Sequence, residues 1–153
     1  MTLRRTIEIE PGLSLGLAVD DGALVAINFR PPGQENDASP LLDEIEGQLR
    51  AYFAGRLRAF SLPCRLKGTA FQKNVWCMLM RIPYGRTRTY MDLAVELNSP
   101  GAVRAVGAAN GANPLPIVVP CHRVVATGGG MGGYGGGIDL KRRLLALEGA
   151  ILL

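Results

Sequence analysis

Cys121 is followed directly by the chain's only histidine, His122, and this pair has the residue types needed for covalent chemistry. A thiol titrates near pH ~8.5, so it is a weak nucleophile at neutral pH until a neighbour generates or stabilises the thiolate. Imidazole is the side chain suited to taking that proton. Adjacent side chains of a strand point to opposite faces, so direct contact requires a turn, which Pro120 favours; a bridging water is the other route. His122 also needs an orienting group, ordinarily a carboxylate. Residues 67–153 offer Asp92, Glu96, Asp139 and Glu148, and Glu148 is the one least obviously placed to solvate a surface. Cys121, His122 and Glu148 thus form a candidate nucleophile, base and orienter. The competing reading is a cysteine buried for packing alone.

The remaining reactive residues exclude several chemistries. Cys64 and Cys77 bring the cysteines to three, unpatterned and odd, which fits reduced thiols rather than a disulfide framework. With a single histidine and no short Cys/His pairs there is no zinc ligand set, and no clustered carboxylates invite another metal. No metal and no cofactor are expected. G-x-G-x-x-G occurs twice, at Gly128/Gly130/Gly133 and Gly130/Gly132/Gly135. A dinucleotide site would need a further strand with an acidic residue after the next helix, and the sequence to Leu153 leaves no room for it. A phosphate loop of the G-x-x-x-x-G-K-[ST] type is also missing. The glycine run reads instead as a loop whose backbone approaches a flat ligand, with Tyr134 as one wall, or simply as a flexible loop.

These residues must be positioned by the elements around them. Residues 3–10, 13–19 and 23–29 alternate apolar and polar side chains, the pattern of half-buried strands, and Asp20-Asp21-Gly22 reads as a hairpin turn. After a polar loop, Leu41, Leu42, Ile45, Leu49 and Tyr52/Phe53 recur at helical spacing up to Gly55. A second helix should bury Phe71, Val75, Trp76 and Leu79. A third, from Thr89 to Leu97, carries Tyr90, Leu93, Ala94 and Leu97 on one side. The next should run from about Pro100 to Asn110, with Ser99 as its cap. The last two form a helix-turn-helix whose second member is built of small residues, Ala102 and Ala105 among them, which let a backbone approach a partner or pack tightly in a core. Residues 113–120 are too proline-rich for a helix and read as an extended segment. A closing helix from Lys141 to Leu147 carries Glu148 at its end.

The fold class expected is α+β: a small N-terminal antiparallel β-sheet plus helix lobe over residues 1–66, and a mainly helical lobe over 67–153 with the helix-turn-helix and the active-site loop. At 153 residues, 48% hydrophobic and 20% charged, the chain has enough core to fold without staples. No apolar run approaches a bilayer span, and Met1-Thr2-Leu3-Arg4-Arg5 leads into alternation rather than a signal sequence, so no membrane is expected and the cytosol is the expected home. Residues 1–66 carry seven Arg against nine Asp and Glu, whereas 67–153 carry ten Lys and Arg against four. The net charge is therefore −2 in the first part and +6 in the second, within a total of +4. A basic second half suits a polyanion such as nucleic acid, or is an ordinary solvated face.

Over residues 51–150 the sequence resembles the O6-alkylguanine-DNA alkyltransferases (methylated-DNA–protein-cysteine methyltransferases). The likeness runs in order through Ala51-Tyr52-Phe53-Ala54-Gly55, Gly68-Thr69-Ala70-Phe71-Gln72, Val75-Trp76, Ile82-Pro83-Tyr84-Gly85 and Arg104-Ala105-Val106-Gly107. It continues through Asn113-Pro114, Pro120-Cys121-His122-Arg123-Val124, Gly133-Tyr134, Lys141 and Leu144-Leu145 to Glu148. The resemblance implies that Cys121 accepts the alkyl group, that His122 is its base through a water, and that Glu148 orients His122. Asn113 would hold the turn between helix-turn-helix and active-site segment, and Tyr90 would crowd the 3′ phosphate and assist protonation of the leaving guanine. Arg104 would enter the DNA stack in place of the flipped nucleotide, with Ala102, Ala105 and Arg123 also on the DNA side. Val124 and Gly135 would read the guanine edge by backbone groups, with Tyr134 and Pro116 lining the base site. Some relatives carry Ser where Gly135 stands, and some hold zinc in the first lobe, for which this chain lacks ligands. The implied partner is double-stranded DNA carrying O6-alkylguanine, or O4-alkylthymine, bound by a monomer able to cluster along DNA.

The alternatives differ in what they leave unexplained. A cysteine hydrolase using Cys121-His122-Glu148 needs turnover and an oxyanion hole, and gives no role to Arg104. A non-reacting lesion binder would lack Cys121, and a transcription regulator would need an effector module.

Overall fold

The computed structural model describes residues 1–152, which fall into two compact units meeting at Lys67/Gly68. In the first, β1 (Thr2–Glu10), β2 (Leu13–Asp20) and β3 (Ala23–Asn28) form an antiparallel sheet in that order. The β2–β3 turn places Asp21 at φ 47° and Gly22 at φ 74°, two successive left-handed residues that match the twist of a hairpin. Helix α1 (Pro40–Phe53) starts at Ser39, whose Oγ accepts from the Leu42 N–H at 3.2 Å. It buries Leu42, Ile45, Leu49 and Tyr52; Leu15, Leu17, Leu24 and Ile27 of the sheet are buried in the same unit. At roughly 2 kcal/mol for each large side chain, this apolar layer is what orders the unit.

The second unit contains α2 (Ala70–Met80), β4 (Arg88–Thr89), α3 (Tyr90–Glu96), α4 (Val103–Gly111), β5 (Val124–Val125) and α5 (Ile138–Leu147). Reciprocal capping boxes start two of these helices. Thr69 and Gln72 exchange bonds of 3.1 and 2.9 Å at α2, and Thr89 and Asp92 exchange 3.0 and 2.8 Å at α3. The buried Trp76 indole donates to the Ala109 carbonyl at 2.8 Å and so fastens α2 to α4. Parallel pairing of Arg88 with Val124 and Thr89 with Val125 brings the first residue of α3 beside the chain that leaves Cys121-His122-Arg123. The architecture is the expected α+β arrangement.

Three local expectations are corrected. Phe71 is 37% exposed, and Met78 joins Val75, Trp76 and Leu79 on the buried face of α2. The Trp76 ring folds back over Gly68, where a Cβ would meet it at 2.5 Å, and so covers the start of the helix itself. The helix expected from Pro100 opens as a 3-10 turn over Pro100–Ala102, with regular α geometry only from Val103. Ser99 therefore caps nothing by its side chain: its carbonyl takes the Ala102 N–H at 2.8 Å and its hydroxyl donates to Leu97 O at 3.3 Å. Residues 113–120 are not extended either. The Val119 N–H returns to Leu115 O at 2.8 Å around Ile117, which adopts φ 76°. Asn113 enforces the turn by accepting from Leu115 N at 2.9 Å and donating to Val119 O at 2.8 Å.

Candidate active site

That turn delivers Pro120 into a single 3-10 turn, Cys121–Arg123, on which thiol, imidazole and guanidinium all lie buried. Asn110, from the C-terminal turn of α4, donates to the Cys121 carbonyl at 3.3 Å, so the backbone of Cys121 is tied to the helix-turn-helix. Cys121 is 6% exposed. Burial pushes its thiol above the ordinary range, while a hydrogen bond from the Asn113 side chain and the charge of Lys141 pull it back. A thiol held protonated in this way reacts only when a base takes its proton.

His122 follows Cys121 in the chain and is fully buried. Its Nε2 lies 2.8 Å from Glu148 Oε2, and its Nδ1 is buried without a hydrogen-bond partner among the described residues. Burial lowers the imidazole below its usual titration range, against the opposing pull of Glu148, so it is neutral at neutral pH. A neutral ring beside a carboxylate carries its proton on Nε2 and keeps the Nδ1 lone pair free to accept one. The Tyr134 ring stands edge-on to it, with centroids 6.4 Å apart. Glu148 caps the C-terminus of α5 and is 5% exposed. The three residues expected to act together are thus assembled in one unit.

Arg123 is corrected. Rather than facing DNA, it is 8% exposed and forks onto Glu148, with Nε to Oε1 at 2.8 Å and Nη2 to Oε2 at 3.0 Å. Its Nη1 donates to the Ile82 carbonyl at 2.7 Å. A buried carboxylate demands a paired cation, and Arg123 is the cation within reach.

The other expected residues divide between the site and the surface. Tyr90 stands at the start of α3, half-buried, with its hydroxyl pushed up in pKa by burial and bonded to the Gly133 backbone. Gly132 sits against that ring at φ 74°; a Cβ there would lie 2.5 Å from the Tyr90 hydroxyl, so glycine is required. Pro116 and Val124 are buried, Tyr134 is half-buried and Gly135 is exposed. Arg104 and Ala105 are exposed on α4 and Ala102 is half-buried at its entry.

One residue at the site had no role assigned from its type. Lys141 is fully buried on α5, and its Nζ donates to the carbonyls of Val124 (2.6 Å), Met131 (2.5 Å) and Gly133 (3.1 Å). Burial lowers its pKa to about 8. It pins the glycine-rich loop to the strand that follows Cys121–Arg123. The available signal was spacing: Lys141 and Glu148 stand seven apart on the same stripe as Leu144 and Leu145, where a solvated charge does not belong. Among the described residues no group of three or more His, Cys, Asp or Glu could hold a metal, and no helix is long and apolar enough to cross a membrane.

The fold and site define a helix-turn-helix protein with Cys121, His122 and Glu148 buried in the same unit, the Cys121 carbonyl tied to the last turn of its second helix. Residues 70–150 match the family described as 6-O-methylguanine DNA methyltransferase, DNA binding domain. A methylated-DNA–protein-cysteine methyltransferase of Mycolicibacterium paratuberculosis is 56% identical over 101 residues, which is 66% of this chain and 61% of that protein's length. One from Methanosarcina acetivorans is 44% identical over 141 residues, 88% of this chain and 90% of that protein. The crystal structure of Mycobacterium tuberculosis O6-methylguanine methyltransferase superimposes with a TM-score of 0.86 at 43% identity, covering 98% of this chain and 94% of that one. A structure of Mycobacterium tuberculosis OGT in complex with DNA gives 0.84 at 45% identity, covering 96% and 92%. The chain belongs to the methylated-DNA–protein-cysteine methyltransferase family.

Proposed function

We propose that this protein repairs double-stranded DNA by taking the alkyl group from O6 of guanine onto Cys121, once per molecule. The observation that carries this reading is the buried Cys121 thiol beside a neutral His122 whose Nδ1 has no protein partner and whose Nε2 is held by Glu148. His122 accepts the thiol proton, through a bridging water. The sulfur attacks the alkyl carbon in line; a C–S bond forms, the C–O6 bond breaks, and the electron pair leaves with guanine. Tyr90 supplies a proton to the departing base. The thioether has no leaving group as good as the guanine it replaced, so the reaction ends there.

Reaching the alkyl carbon requires the base to leave the stack, at a cost of a few kcal/mol. Arg104, exposed on α4, fills the gap and offsets part of that cost, and Ala102 and Ala105 let the helix approach the groove closely. The DNA complex of the Mycobacterium tuberculosis relative supports DNA as the partner. Val124, Gly135, Tyr134 and Pro116 line the site for the extruded base, and O4-alkylthymine presents the same alkyl–oxygen bond to the sulfur. The protein acts as a monomer that can cluster along DNA. The test is intact-mass analysis after incubation with an O6-methylguanine duplex. One methyl per chain at Cys121, absent in Cys121→Ser, is expected; repeated turnover, or methyl on Cys64 or Cys77, overturns the reading.

A further inference from the structure

We propose that Arg123 is a positioning residue that fixes both the charge and the tautomer of the relay, an inference that rests on His122 serving as the base. Its fork occupies both oxygens of Glu148, while the third nitrogen is anchored on the Ile82 carbonyl. The guanidinium also lies over the Tyr84 ring, 5.7 Å from its centroid, so its plane is set from two sides. Two parallel N–H···O bonds leave the carboxylate no freedom to turn, and Oε2 remains aimed at His122 Nε2.

The electrostatic consequence follows from charge counting. A buried glutamate facing a histidine pulls it toward an imidazolium–carboxylate pair, in which the imidazole already holds the proton it is meant to take, and burial opposes that pull. With Arg123 present, the carboxylate's charge is compensated, and its charge works with burial to keep the imidazole neutral. The other groups facing His122 act in the same direction or not at all. Lys141 from α5 opposes a second positive charge, Cys121 is a protonated thiol, and Tyr134 presents its ring. Lys73 and Cys77 of α2 are exposed, and Arg88 of β4 is paired with Glu96. Burial is the largest influence against the imidazolium, and Arg123 adds to it by offsetting the carboxylate's pull.

Because His122 is the only histidine, its ring nitrogens can be followed by 15N NMR without assignment. In the unaltered protein we expect the Nε2–H tautomer with a bare Nδ1 and a titration midpoint below the ordinary histidine value. In Arg123→Gln the midpoint should rise by about one pH unit, and in Arg123→Lys by less, since the charge remains but the fork is lost. The pH at half-maximal transfer from free O6-benzylguanine to Cys121 should move with it. A proton on Nδ1 in the unaltered protein overturns the inference even if neither variant folds. An unmoved midpoint in a folded Arg123→Gln, with transfer proceeding at its usual pH, overturns it as well. A shifted midpoint in a protein that never accepts an alkyl group refutes the repair reading and leaves the role of Arg123 standing.

Discussion

Replacing Lys141 with methionine separates what this residue does for stability from what it does for the site. The side chain is fully buried, and its pKa falls from 10.5 to about 8. A lowering of that size corresponds to about 3 kcal/mol against the charged form at neutral pH; water reaching the partly exposed loop around it brings this nearer to about 2 kcal/mol. Methionine keeps the stem and lifts the penalty. Against this, the buried Val124 carbonyl loses its 2.6 Å partner, a cost of about 1–3 kcal/mol, while the carbonyls of Met131 and Gly133 can turn to water. The two effects nearly cancel, so Lys141→Met should change unfolding free energy by no more than about 2 kcal/mol at neutral pH. The loop over 126–137 nevertheless loses its anchor, and amide exchange there should rise while alkyl transfer falls at least about tenfold. The pH dependence carries a definite sign. The native pKa lies below the unfolded one, so the penalty is complete below pH ~8 and fades as pH climbs toward the unfolded value. Urea unfolding should therefore show the unaltered protein gaining on Lys141→Met by about 2 kcal/mol between neutral pH and pH ~10. A pH-independent difference, or unchanged exchange in the loop, would refute this reasoning.

Three further outcomes follow from the same geometry. Glu148→Gln leaves the Arg123 guanidinium buried without a counter-charge and should cost about 3–5 kcal/mol in urea unfolding; pairing it with Arg123→Met should recover part of this, and strict additivity would contradict the pairing. Gly132→Ala places a methyl 2.5 Å from the Tyr90 hydroxyl at a positive φ, so it should strain the loop by about 1–2 kcal/mol and slow alkyl transfer. A variant with unchanged kinetics would show that the Tyr90 position is not used. Arg104→Ala, at an exposed site, should leave stability within about 0.5 kcal/mol and slow repair of duplex DNA more than transfer from free O6-benzylguanine. Equal loss on both substrates would remove Arg104 from the DNA step.

What could be read from residue order alone was whatever depends on local spacing. The alternation of residues 3–29, the Asp21-Gly22 turn and the 3.6-residue stripe of α1 follow from short-range sterics and apolar periodicity, and the structure has them where expected. Cys121 beside the only histidine marked a candidate reactive pair, and Glu148, which the structure brings to His122, could be picked out because few carboxylates follow residue 66. Local propensity misled at residues 113–120, where three prolines suggest an extended path. The Asn113 side chain instead folds the segment back on itself through bonds that no propensity records. Tertiary structure alone decided the fates of the two buried cations. By type, Arg123 belongs on a DNA-facing surface and Lys141 on a solvated helix face. In the folded unit Arg123 is claimed by Glu148, a carboxylate 25 residues away, and Lys141 by three loop carbonyls. The physical reason is that a charge seeks its partner through space, and which groups share that space is known only once the chain has folded.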